Sequence, residues 1–323
     1  VTGVTLSIVT TTRTKVAHLR AALRNLAARA GGRPDVELVV VNDGSEDGTE
    51  AFLDAFAAEM PFVRLRTDRV GLAAARNAGV RASHGTHLLF MDDDIVLGPG
   101  YLESLLAAIA ARPERVHVGN LDNVHISHVA PLLEDAQDPL FAGFPFLDEF
   151  VAHNSMFTAA RHLFAGRRAD GVEAGEVITG GWWAVSTGGN LCVPREGWER
   201  AGGFDEEFKS WGPEDAEFCF RLFRLGYTAA FNPGCRLYHL DHARDTASTR
   251  LSLMQNAAYM MKKHGKPQEL YSYLELTGGI ISVQEFNNRC ARWNGIPEMV
   301  IEECFLTLKY VTKRDQLIPW KRS

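Results

Sequence analysis

Apolar residues in the first third of the chain follow two alternating rhythms. Largely apolar runs at Val4–Val9, Val36–Val41, Phe62–Leu65 and Thr86–Met91 have the length and β-branched content of buried strands. Between the first two runs, Leu19, Leu23 and Leu26 recur at helical spacing after Thr14, whose hydroxyl suits a helix start, and Gly31-Gly32-Arg33-Pro34 ends that helix. Further helices are expected from about Gly48 to Glu59 and from about Gly71 to Ser83, the second carrying Arg76 and Asn77. Strand and helix in strict alternation predict an α/β fold, a mostly parallel sheet flanked by helices. In such sheets ligands gather beyond the carboxyl ends of the strands. Thr10–Arg13, Asn42–Ser45 and Asp92–Asp94 each follow a strand, so the topology predicts that they share one edge.

Beyond this alternation the pattern changes. Tyr101–Ala111 reads as a helix and Arg115–Gly119 as a strand, and regularity then fades from about Leu121 to Gly181. That stretch carries Phe141, Phe144, Phe146, Phe150, Phe157 and Phe164. It reads as a partly helical insertion packed on the sheet, or else as a mobile cover or an acceptor-binding element. Gly180-Gly181-Trp182-Trp183 closes it, where paired indoles either wall a ring-shaped ligand or fill core. A strand is expected over Thr187–Pro194, a helical turn over Trp198–Ala201, and short strands over Thr228–Phe231 and Arg236–His239. Pro213 falls at or just before the start of a helix through Phe218, Leu222 and Leu225, so Glu214 and Asp215 lie in its first turn, where the helix dipole favours carboxylates. Residues 1–244 are thus expected to form one domain, with about 1–120 as one half, 121–181 inserted and about 182–244 as the other half; 245–323 are expected to form a mainly helical segment.

Composition narrows the classes. With 323 residues, 46% hydrophobic and 23% charged, the chain is an ordinary globular protein, and a net charge of −6 supplies no broad surface for nucleic acid. No apolar run reaches the roughly 18–20 residues that span a bilayer, and no signal-peptide pattern is visible. Five cysteines, Cys192, Cys219, Cys235, Cys290 and Cys304, match no zinc or redox spacing. Buried free thiols in a reducing cytoplasm is the expectation, and the Ala- and Arg-rich composition suggests a bacterial source. No GxGxxG follows the first strand and no GxxxxGK[ST] occurs, which argues against dinucleotide dehydrogenases and P-loop enzymes.

Three consecutive aspartates, Asp92, Asp93 and Asp94, end the fourth strand. Held together, they repel unless water or a cation neutralises them. Oxygen ligands with open positions suit magnesium or manganese, ions that also hold substrate phosphates. Taken alone, the triplet reads more readily as a solvated strand-end turn whose Asp94 caps a later helix.

The ordered set NDGS, ARNAG, MDDDI, GGN, GGFDEEF, WGPEDAEF and RLYHLDH, spread over roughly residues 4–242, resembles GT-A-fold nucleotide-sugar glycosyltransferases of the family 2 type. The second half is also similar to bacterial chondroitin-polymerase domains, β-1,4-galactosyltransferases and polypeptide N-acetylgalactosaminyltransferases. The resemblance implies a divalent metal, manganese preferred and magnesium possible, held by Asp92, Asp94 and a histidine after a late strand, His239 or its rival His242. It implies nucleotide contacts from Thr10, Arg13, Asp43, Arg76, Asp92 and Asp93, with Asp43 facing the uracil of a UDP sugar. Gly189, Asn190, Trp183 and Trp211 stand for contacts to the donor sugar and acceptor. Asp215 is the implied general base of an inverting transfer, with Glu214 orienting the acceptor hydroxyl. The retaining N-acetylgalactosaminyltransferases carry Glu-Asn where this chain has Glu214-Asp215.

The chain departs from processive synthases. In place of QxxRW it has only Arg289-Cys290-Ala291-Arg292-Trp293, without the Gln. A single transfer to a discrete glycan or small-molecule acceptor is therefore expected. Two other classes are weighed. A nucleotidyltransferase of related fold would carry a Gly-rich loop where this chain is Thr-rich, and a non-catalytic sugar-nucleotide-binding protein would not need Asp92, Asp94, Asp215 and His239 together. Donor sugar, acceptor and oligomeric state are not legible.

Overall fold

The computed structural model describes residues 5–124, 126–138, 151–152, 177–178, 181–184, 186, 188–243, 246–265, 267–277, 280–281 and 283–290. The chain divides into two compact units, Val1–Asn256 and Ala257–Ser323.

The first unit is built on one mixed sheet. Its strands are β1 (Leu6–Thr12), β2 (Val36–Asp43), β3 (Val63–Thr67), β4 (His87–Asp92), β5 (Ile95–Leu97), β6 (Val116–Val124), β7 (Val151–Ala152), β8 (Val177–Ile178), β9 (Leu191–Pro194) and β10 (Ala229–Leu240). The main path runs β3-β2-β1-β4-β9-β6-β10-β5, with β7 on β6 and β8 on β10. The strands β3, β2, β1 and β4 are mutually parallel, as the alternating pattern predicts. The short β9 lies antiparallel between β4 and β6, and β10 runs parallel to β6. Two reversals leave β6 and β10 pointing the same way as β1. The carboxyl ends of β1, β2, β4 and β10 therefore meet at one edge, with Thr12 paired to Asn42 and Thr11 to Asp92.

Helices occur in both units. They are α1 (Val16–Ala30), α2 (Thr49–Phe56), α3 (Leu72–Arg81), α4 (Tyr101–Ala111), α5 (Ile126–Asp135), α6 (Arg195–Ala201), α7 (Glu214–Arg224), α8 (Thr246–Lys263), α9 (Gln268–Thr277) and α10 (Val283–Cys290). Leu19, Leu23 and Leu26 of α1 are buried with Ile8, Leu38 and Val40. Helix α3 presses directly on the sheet at Gly79, where a Cβ would stand 2.5 Å from Val9 Cγ1. Any larger residue would push α3, and with it Arg76, off the strands.

Three elements differ from the sequence reading. First, the two short strands expected near 228–231 and 236–239 are one strand, β10, whose pairing with β6 shifts register between Asn232 and Arg236. Pro233-Gly234 reads as a turn but forms an irregularity inside a strand, where a residue without an N–H is tolerated. Second, β6 continues to Val124 and α5 follows, so regular structure enters the stretch that looked irregular. Third, β5 is an extra strand directly after the aspartates, returning antiparallel along β10 with His239 opposite Ile95. The six phenylalanines singled out between 141 and 164 lie outside the described residues.

In the second unit α9 and α10 pack together, and Leu270, Tyr271 and Phe286 are buried. Arg289 bridges Glu285 of its own helix to Glu275 of α9. Among the described residues no helix is long and apolar enough to cross a membrane. Cys192, Cys219 and Cys235 are buried free thiols, and burial pushes the Cys235 thiol up to about 12, which leaves it unreactive at neutral pH.

Candidate active site

The aspartate triplet bridges β4 and β5. The turn sends its three carboxylates to three different partners. Asp92 Oδ1 accepts from Arg76 Nη2 at 2.8 Å, and its side chain remains 38% exposed. Asp93 Oδ2 accepts from Thr12 Oγ1 at 2.7 Å, and its Oδ1 lies 3.4 Å from Lys15 Nζ. Asp94 Oδ2 accepts from Lys15 Nζ at 2.8 Å, while its Oδ1 is buried with no hydrogen-bond partner. Burial pushes the Asp93 carboxyl up to about 6, against the pull of Lys15. Burial acts the same way on Asp94, but the neighbouring His239 and His242 and then Lys15 outweigh it and hold Asp94 well below the usual range.

The short strand β5 carries this turn to the end of β10. Leu240 N donates to the Asp94 carbonyl at 2.8 Å. Asp94, His239 and His242 each present a donor atom, and these atoms lie within 4.8 Å of one another. His239 Nδ1 faces Asn123 Oδ1 at 2.5 Å and His242 Nδ1 faces the Ala243 carbonyl at 3.0 Å. With Nδ1 turned to those partners, Nε2 of each ring faces Asp94 Oδ2, at 3.6 Å for His239 and 3.3 Å for His242, and is the atom each ring would offer a metal. Together with the unpartnered Asp94 Oδ1, this nitrogen and oxygen donor set fits a divalent transition metal. The sequence left His239 and His242 as rivals, and the structure brings both to Asp94. Asp92, also expected at the metal, stands apart from this cluster on Arg76.

A second network surrounds Arg76. Its guanidinium is buried, with Nη1 3.0 Å from Glu214 Oε1 and Nη2 on Asp92. It also lies 5.2 Å over the Phe204 ring. A Cβ on Gly188 would meet Arg76 Nη2 at 2.4 Å, so only glycine leaves room for the guanidinium. Glu214 and Asp215 occupy the first turn of α7, as Pro213 predicts. Burial, reinforced by the charge of Asp215, pushes the Glu214 carboxyl up to about 7. Burial also raises Asp215, opposed by Arg76 and by hydrogen bonds from the Gly188 and Ala216 N–H groups at 2.9 and 2.7 Å. Asp215 is the more accessible of the pair.

The remaining predicted residues divide. Asp43 is spent inside the protein: Oδ1 accepts from Thr67 Oγ1 and Val70 N at 2.7 and 2.8 Å, and Oδ2 from Gly71 N at 2.9 Å. Thr10 is buried with its hydroxyl unpartnered, and Arg13 is exposed. Gly189 lies against Asp92, whose Oδ2 would stand 3.3 Å from a Cβ there. Asn190 turns inward, accepting from Tyr101 Oη at 3.0 Å and donating to the Asn120 carbonyl at 3.3 Å. Trp183 is fully buried and packs edge-on against Phe220, the core-filling alternative for the paired indoles. Trp211 is 43% exposed on the loop before Glu214.

Sequence reasoning passed over Lys15 and gave no individual role to Thr12, Asn77 and Gly188, although all three lie in segments it singled out. Asn77, inside ARNAG, clamps Phe204 of GGFDEEF by donating to its carbonyl and accepting from its N–H, both at 2.8 Å. The pairing of these two motifs was the available signal. Lys15 belongs to no motif.

The sheet, the acidic turn between β4 and β5 and the histidines closing β10 define the GT-A class of architecture. The sequence pattern of glycosyl transferase family 2 matches residues 7–169, and the chain belongs to that family. The pattern described as the N-terminal domain of galactosyltransferase matches residues 181–243. The chain is 28% identical to validoxylamine A glucosyltransferase of Streptomyces hygroscopicus subsp. jinggangensis, over 80% of this chain and 61% of that one. It is 25% identical to the chondroitin synthase of Escherichia coli, over 72% of this chain and 35% of that one. It therefore spans less than two thirds of the length of these relatives. In fold it is similar to S. aureus TarS 1-349 in complex with UDP-GlcNAc, with a TM-score of 0.58 and 17% identity over 84% of this chain and 72% of that one. It is also similar to the mannosyltransferase PcManGT from Pyrobaculum calidifontis in complex with GDP-Man and Mn2+, with a TM-score of 0.56 and 16% identity over 95% and 79%.

Proposed function

We propose that this protein transfers a sugar from a nucleotide-sugar donor, a UDP sugar, to a hydroxyl of a discrete acceptor, with inversion at the anomeric carbon. The observation that carries this reading is the meeting, at one sheet edge, of the Asp94–His239–His242 cluster with the Arg76-linked carboxylates Asp92 and Glu214, with Asp215 next to Glu214 in the first turn of α7. Solved relatives in fold hold UDP-GlcNAc or GDP-Man with Mn2+, and curated relatives are glycosyl-transfer enzymes, which supports the same reaction class.

Asp94, His239 and His242 would hold the metal, manganese by their donor types, and the ion would place positive charge at the departing diphosphate. Asp92 offers its free carboxylate edge to the donor nucleotide while Arg76 fixes its other oxygen. Asp215, raised by burial and only partly covered, takes the acceptor hydroxyl proton. The acceptor oxygen then bonds to the anomeric carbon as that carbon's bond to the diphosphate oxygen breaks, and the nucleoside diphosphate leaves. Glu214, tied to Arg76, sets the position of Asp215. The Trp211 ring offers an apolar face on which a sugar can stack.

The test is a screen of UDP and GDP sugars with Mn2+, reading nucleoside diphosphate release with and without candidate acceptors, and the anomeric configuration of any product by NMR. Release from UDP sugars that requires Mn2+ is the expected result. No turnover of any donor, or a product that retains the anomeric configuration, would overturn the reading in its substrate or its stereochemistry respectively.

A further inference from the structure

We propose that Lys15 is a resident cation of the metal cradle, one that a divalent metal ion must displace in order to bind Asp94 and His242. The inference rests on the metal-site reading above and adds a competitor to it. Lys15 Nζ stands 2.8 Å from Asp94 Oδ2, 2.9 Å from His242 Nε2 and 3.4 Å from Asp93 Oδ1. Two of those three atoms belong to the three residues that form the donor cluster. A metal bonded to the same atoms at about 2 Å would sit within the space the ammonium fills. Two cations cannot share that volume, so occupancy by one excludes the other.

The position of Lys15 is built rather than incidental. On one side of it, Thr14 adopts φ 55, a left-handed conformation that a β-branched residue rarely takes. Thr14 N donates to Ser45 Oγ at 2.9 Å, and on the other side Val16 N donates to Asp47 Oδ2 at 2.8 Å. Both acceptors come from the loop after β2. These two bonds pin the backbone on either side of Lys15 and aim its stem at the aspartate turn. The side chain itself is 30% exposed, which leaves the ammonium a way out of the cradle. Removing the ammonium therefore removes a competitor without removing a donor.

The experiment measures Mn2+ binding to the purified protein, without nucleotide, by the electron paramagnetic resonance signal of free Mn2+. Wild type is compared with Lys15→Met, Lys15→Gln, Arg13→Met and Asp94→Ala. The expected result is a Kd for Mn2+ at least about tenfold lower in both Lys15 variants, near wild type in Arg13→Met, and binding lost in Asp94→Ala. Thermal melting should agree: without metal the Lys15 variants melt below wild type, and Mn2+ raises their Tm by more. Wild-type or weaker Mn2+ affinity in both Lys15 variants would overturn the proposal while leaving the metal site standing. An equal gain in Arg13→Met would also overturn it, because general charge and not occupancy would then set the affinity. Absence of Mn2+ binding in every protein would overturn the metal-site reading and this inference with it.

Discussion

Arg76 and Glu214 are separated by 138 residues in the chain and joined by a 3.0 Å hydrogen bond between side chains that are 3% and 6% exposed. The same guanidinium reaches Asp92 on its other side. One buried cation thus sets the distance between the acidic turn at β4 and the carboxylate pair at the start of α7. It couples the half of the site that reads as donor binding to the half that reads as proton transfer.

Replacing Arg76 by Met removes the bridge but keeps much of the volume. It leaves Glu214 buried without a counter-charge, at a cost of about 3–5 kcal/mol. Urea denaturation should show that loss, and donor turnover should fall by more than the unfolded fraction explains. Lysine has one compact ammonium where arginine has a fork, so Arg76→Lys should recover stability in part and turnover hardly at all.

Asp215 and Glu214 sit side by side but are predicted to behave differently. Asp215→Asn keeps the shape of the site and removes the proposed base, and should lower kcat by about 10²–10⁴-fold while nucleotide affinity, read by calorimetry, stays near wild type. Glu214→Gln keeps one contact to Arg76 and should cost less. Equal kcat in wild type and Asp215→Asn would place the base elsewhere.

Asp43 accepts three hydrogen bonds that fix the loop between β3 and α3. Asp43→Asn turns an amide toward donors that need an acceptor, and should lower stability by about 1–3 kcal/mol. Its expected signature is a lower urea midpoint together with weaker UDP binding. A variant of unchanged stability that no longer binds UDP would assign Asp43 to base recognition alone.

His117 gives a pH dependence remote from the site. Burial pushes its imidazole down to about 4 from an ordinary value of 6.5, and its Nε2 lies 3.1 Å from the Arg112 carbonyl. Between those two values the unfolded chain binds a proton that the folded protein refuses. The contribution is complete above pH 6.5 and is lost as pH falls toward 4, worth up to about 3 kcal/mol. His117→Gln keeps a donor for that carbonyl and does not titrate there. Its unfolding free energy, measured by urea at pH 7 and pH 4.5, should fall less on acidification than that of wild type.

The apolar runs alone determined the parallel half of the sheet, because a buried strand must be apolar on both faces and a covering helix must carry its stripe at helical spacing. They also placed Asp92–Asp94, Asn42–Ser45 and Thr10–Arg13 at one edge, a matter of topology. Pro213 placed Glu214 and Asp215 in a helix turn. What the sequence did not carry was pairing at a distance. Three residues, Ile95–Leu97, are too short a run to declare a strand, yet their antiparallel pairing with β10 brings Asp94 to His239 and His242. Asp43 looked free for a ligand until Val70 N and Gly71 N closed on it, and Trp183 looked available as a wall until Phe220 covered it. Lys15 had no motif at all. Its place among Asp93, Asp94 and His242 exists only because the loop after β2 pins the backbone on both sides of it, a contact between segments that local pattern cannot encode.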